Sequence, residues 1–218
     1  MQGSSKYIYV VLSRTSTKIA KTIRFIKKAK YSHAAISLDE NLSQIYGFAR
    51  EQYYTPLLGK LVKESLTSYT LNRNDEVPVK VFRIPVNEEM YDHVCKKTFD
   101  IFNDPEFYYN LLSAATQPIS KGFETYKAYT CIEFVMMILR EMNFPIDQPL
   151  NTYMPDDLLE MLKEYAFFEG DIRDIMDEDN IDIHFFEPVS LKTQLQLVTR
   201  VFVLCKRSIS REILKYKE

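Results

Sequence analysis

Nine consecutive positions, Cys131 to Leu139 (CIEFVMMIL), contain a single charged side chain, Glu133. Thr130 precedes them, and its hydroxyl stands three residues before Glu133 in a T-x-x-E capping box, a helix N-terminus signature. Cys131 is thereby set at the first helical position. Ile132, Val135, Met136 and Leu139 share one helical face, and Phe134, Met137 and Ile138 form a second. A helix apolar on most sides must be covered by other elements, so the chain has to build layers around this one. Asn143 and Pro145 end it.

The flanking sequence supplies both kinds of partner. KYIYVVLSR (6–14) reads as a buried strand. Ile19, Ile23 and Ile26 at helical spacing predict an amphipathic helix over 17–29. HAAISLDENLSQIYGFAR predicts a hairpin of strands 33–38 and 43–50 that turns at DEN. Residues 51–76 read as a loop with a short helix near 58–66, followed by an alternating strand over 77–86. Asn87 caps a predicted helix over 87–104, and a second helical piece covers 106–116. PDDLLEMLKEY opens a helix with proline and two acids in its first turn. The acidic loop after FFEGDI leads to a predicted last strand over 196–207 and a short C-terminal helix. With no repeat and no Gly-, Ser- or Pro-rich linker, the reading is one mixed α and β domain spanning 1–218. Residues 173–218 read as a C-terminal extension of it.

Composition removes several classes of function. The 218 residues are 46% hydrophobic and 27% charged, an ordinary globular balance. Only five glycines are present, without GxGxxG or GxxxxGK[ST], which disfavours a nucleotide-dependent enzyme. A net charge of −2 gives no steering toward nucleic acid. The three cysteines, Cys95, Cys131 and Cys205, form no CxxC pair, and no HxxH or HExxH occurs, so no metal or other cofactor is expected. No apolar run reaches 18 residues and no signal peptide is recognisable, which predicts a reducing, cytoplasmic setting without a transmembrane segment. The charge is unevenly placed. Residues 1–38 hold eight basic side chains and no acid, while 156–187 hold twelve acids against Lys163 and Arg173. Two solvated faces explain this most simply. A basic surface for an anionic or membrane-bound partner, centred on the helix 17–29, is the sharper reading.

A thiol at a helix N-terminus is favoured as thiolate by unpaired N–H groups and the dipole. Its natural partner is a histidine, and the chain has three. His93 sits in a predicted helix, His184 among acids, and His33 opens a strand beside small residues in YSHAAISL. Spacing selects none of the nine Cys–His pairs. On the residues alone, a core cysteine and a satisfied structural histidine remain the plainer readings.

The order strand–helix–YSHAAISLD–IYGFAR, followed about 80 residues later by YTCIEFVMMIL, resembles the permuted papain-like superfamily. That group includes circularly permuted NlpC-type hydrolases, YiiX-like amidases and relatives of lecithin:retinol acyltransferase. MPDDLLEML and FFEGDI also resemble segments of bacterial members, so the likeness covers roughly residues 6–172. It implies an α+β fold in which a small antiparallel sheet packs against a buried, cysteine-bearing helix with peripheral helices. It further implies Cys131 as nucleophile, His33 as general base and acid, and the Cys131 N–H as an oxyanion donor. The third, histidine-orienting group would come from the second hairpin strand. There Gly47 stands in mid-strand, and Tyr46, Gln44 and Glu51 are the candidates.

The expected activity is therefore that of a thiol hydrolase or acyltransferase acting on an amide, ester or thioester in a peptide, small amide or lipid. The alternative is a catalytically silent member of the fold that binds a ligand or protein, which the gap at Gly47 favours. A further alternative takes the acidic stretch 156–187 as a surface for a basic protein.

Overall fold

The computed structural model describes residues 6–14, 30–55, 59–120, 122–190, 195 and 198–208. The helix expected over 17–29 and the short helix expected at the C-terminus lie outside the described residues. In chain order the elements are β1 (Lys6–Ser13), β2 (His33–Ser37), β3 (Ile45–Arg50), β4 (Gly59–Lys63), α1 (Leu66–Thr70) and β5 (Pro78–Val86). These are followed by α2 (Glu88–Asn103), β6 (Tyr108–Tyr109), α3 (Leu111–Ser120), β7 (Ala128–Tyr129) and α4 (Cys131–Glu141). The chain continues through α5 (Pro155–Met161) and β8 (Ala166–Asp171) to a helix, α6, over 198–208.

Six strands form one sheet in the order β4-β3-β2-β1-β5-β8. Every neighbouring pair is antiparallel. β1 lies inside the sheet and is apolar on both faces, because successive strand side chains point to opposite sides. Ile8, Val10 and Leu12 enter the core shared with α4, while Tyr9 and Val11 enter a second core with Tyr69, Ile172 and Met176. The fold is thus α+β around an antiparallel sheet. α4 is buried from Cys131 through Leu139 and packs chiefly against β2, where Ala34 leaves room for it. Its capping box forms as the sequence predicts: Glu133 N–H donates to Thr130 Oγ1 at 3.2 Å, and Thr130 N–H donates to Glu133 Oε2 at 2.6 Å.

Four expectations need correction. The stretch expected to be helical near 58–66 is strand β4 over most of its length, because Gly59 and Leu61 turn inward and Leu61 pairs with Phe48. The helix there is α1, which starts later, where Ser65 and Ser68 cap each other. The piece expected at 106–116 begins instead with β6, and Asn110 opens α3 by accepting from Ser113 N–H at 3.2 Å. Of the last strand expected over 196–207, the described residues 198–207 are helical. Arg200 and Arg207 are two turns apart there and hold one face against the body. One edge of the sheet is instead β8, in the FFEGDI segment, where no strand was expected.

Candidate active site

His33 is the first residue of β2 and pairs in register with Ser13 of β1. Its side chain is 13% exposed, and its ring centroid lies 6.2 Å from that of Tyr69 on α1. Nε2 stands 2.6 Å from Oε1 of Glu64, a carboxylate that is 3% exposed. Glu64 directly follows β4, and its N–H donates to Ile45 O at 2.9 Å, extending the β3–β4 pairing.

Two strand spacings separate β4 from β2, roughly 9–10 Å, so the Glu64–His33 bond has to cross β3. Gly47 permits the crossing. A Cβ at that position would lie 2.2 Å from Glu64 Oε1 and 3.2 Å from His33 Nε2. Glycine inside a strand costs packing, and close approach by another group is one reason for its presence. The position that left a gap in the sequence is the opening through which the Glu64 carboxylate reaches His33.

Cys131 is 7% exposed at the start of α4, and its thiol lies close enough to the His33 imidazole to influence that ring's titration. Burial alone would lower the imidazole's pKa. The charge of Glu64, which is hydrogen-bonded to the ring, and that of the nearby Cys131 outweigh it and hold the pKa well above the ordinary 6.5. Tyr109 of β6 borders the same place: burial first, then the charges of Cys131 and Glu133, push its phenol far up. Beneath the carboxylate lies Tyr69, whose pKa is raised well above normal by burial and then by Glu64. Neither the Tyr69 hydroxyl nor Glu64 Oε2 makes a well-formed hydrogen bond.

The expected third partners lie elsewhere. Tyr46 points to the opposite face of the sheet and packs edge-on against Phe99 and Phe102. Gln44 is exposed in the hairpin turn, its N–H bonded to Asp39. Glu51 is taken by Lys60 and Arg200 at 3.0 and 2.6 Å. The structure therefore places Cys131 near His33, and the carboxylate bonded to the imidazole is none of the three candidates but Glu64. His93 pairs with Glu141, and His184 with Glu187. Among the described residues, no group of three or more His, Cys, Asp or Glu side chains could hold a metal ion, and no helix is long and apolar enough to cross a membrane.

The C-terminal stretch reaches the site from behind. Asn180 Nδ2 donates to Glu64 O and Leu42 O at 3.3 and 3.2 Å, and Leu66 N–H donates to Asn180 O at 2.8 Å. One asparagine thus holds the turn that carries Glu64. Comparison of the chain with protein-family models, curated proteins and solved structures returned no match in any of the three.

Proposed function

We propose that the chain is a thiol hydrolase or acyltransferase of permuted papain-like type, with Cys131 as nucleophile, His33 as acid and base, and Glu64 as the group that orients His33. The observation that carries this reading is one buried imidazole with a carboxylate at 2.6 Å and a cysteine at a helix N-terminus close by. Nucleophile, base and orienting group in sequence are the arrangement that acyl transfer needs.

With Nε2 engaged by Glu64, Nδ1 is the nitrogen left to exchange a proton with the thiol. Cys131 Sγ attacks the carbonyl carbon of an amide, ester or thioester while the C=O π pair moves onto oxygen. We assign that oxyanion to the N–H groups at the start of α4. The capping box engages those of Thr130 and Glu133 and leaves that of Cys131 for it. Collapse of the tetrahedral intermediate breaks the bond to the leaving nitrogen, oxygen or sulfur, which takes the proton from the imidazolium. An acyl-enzyme remains. Water or another acceptor then gives its proton to His33, attacks the acyl carbon, and releases the thiolate.

The test is acyl-enzyme trapping with a panel of activated esters and thioesters, read by intact mass. The expected result is one acyl adduct on Cys131, absent in Cys131→Ser and turned over at least about 10²-fold more slowly in His33→Ala. Acylation spread over Cys95 and Cys205, or unchanged by His33→Ala, would leave a binding protein as the better reading.

A further inference from the structure

α6 is turned outside in. Its two arginines face the body: Arg200 pairs with Glu51 at 2.6 Å and lies 5.3 Å from the Tyr108 ring. Arg207 donates to Glu106 O at 2.9 Å and lies 5.1 Å from the same ring. Together with buried Leu204 they fix the helix. Facing outward are Leu195, Val198 and Phe202, which recur at spacings of three and four and are 70%, 65% and 69% exposed. Lys206 extends the same face and is exposed. Tyr126, which lies under Arg207, is 65% exposed beside the helix.

From this we infer that the outward face of α6 docks on an anionic lipid surface. Its pattern is that of an interfacial helix, in which a narrow apolar stripe enters the acyl boundary while basic side chains meet the headgroups. The charge fits that occupant. Besides Arg200 and Arg207, which face the body, residues 191–218 hold five basic side chains and two acids, although the whole chain carries −2. A second copy fits poorly, because the three apolar side chains that this face exposes among the described residues fall far short of the roughly 800 Å² per partner that a stable interface buries. An exposed tyrosine at the edge suits the headgroup level. Docking would also bring the candidate site to the membrane. Tyr108, on which both arginines rest, adjoins Tyr109, whose ring borders Cys131. The inference stands on the surface alone and does not require the proposed activity.

It is tested by sedimenting the full chain with vesicles of phosphatidylcholine alone or with about 30% phosphatidylserine, at about 0.1 M salt. Binding is expected to the mixed vesicles. It should fall at least tenfold in Phe202→Ser and in Val198→Ser, and weaken at about 0.5 M salt as headgroup attraction is screened. Both sites are exposed, so the variants should keep the wild-type melting temperature. No sedimentation with either vesicle, or binding indifferent to Phe202→Ser, would overturn the inference. So would a dimer in analytical ultracentrifugation that Phe202→Ser dissociates, which would assign the face to a second copy.

Discussion

Gly47 is the residue on which the candidate site turns. The atom that an added Cβ would meet most closely is Oε1 at the end of the Glu64 side chain. A side chain that ends in rotatable bonds can swing away, so Gly47→Ala should fold with little loss of stability and still displace the carboxylate. The expected outcome is a lower His33 titration midpoint by NMR, with Cys131 reactivity reduced at least about tenfold, as when an orienting partner is lost. Glu64→Gln should act in the same direction. It removes the charge that offsets burial, and burial alone favours the neutral imidazole. Of the three groups in the proposed site, the sequence placed Cys131 at a capped helix start and His33 at a strand start, but only the resemblance paired them. The sequence hid the third, since Glu64 lies two strands away and bears no local signal of its role. A glycine within the otherwise well-filled strand IYGFAR was the one available pointer to a close approach.

At the scale of elements, α4 carries its own pH dependence. Glu133 is 1% exposed, and burial pushes its pKa up to about 7, against the pull of hydrogen bonds from Thr130 and Ser113. A carboxyl whose folded pKa exceeds its unfolded one binds more protons when folded. Its stabilising share is therefore complete below the unfolded value near 4.5 and is lost as pH rises through about 7. Thermal melts should show wild-type stability falling across that window by a few kcal/mol. Glu133→Gln, which keeps an acceptor for the Thr130 N–H, should flatten the profile. α4 was legible because both its cap and its apolar faces are local. β4 was not: five residues with no flanking alternation acquire strand character only by pairing with β3. α6 misled for a related reason. Val201, Phe202, Val203 and Leu204 suit either period, and the arginines that select the helix act through Glu51, Glu106 and Tyr108.

For the whole molecule, the chain beyond Asp171 ties the rest together instead of hanging from it. Ile172 and Met176 complete the second core, and Asn180 joins Leu42, Glu64 and Leu66. Asn180→Ala removes two side-chain hydrogen bonds to buried carbonyls and should cost about 1–3 kcal/mol in denaturant unfolding. It should also lower the His33 midpoint, which a purely structural role would leave in place. Such ties span more than a hundred residues, and no pattern within 173–218 announces them. The central claim is that Cys131, His33 and Glu64 work as one unit, and the most direct measurement is the pH dependence of Cys131 alkylation by iodoacetamide. Wild type, His33→Ala and Glu64→Gln are compared, with Cys131→Ser as blank. Cys95, held above the usual thiol range first by burial, serves as the slow internal reference. The account predicts that Cys131 outpaces Cys95 near neutral pH and that the profile bends again well above 6.5, where His33 loses its proton. That bend should move down in Glu64→Gln and vanish in His33→Ala. A profile identical in all three proteins, or a Cys131 no faster than Cys95, would contradict it.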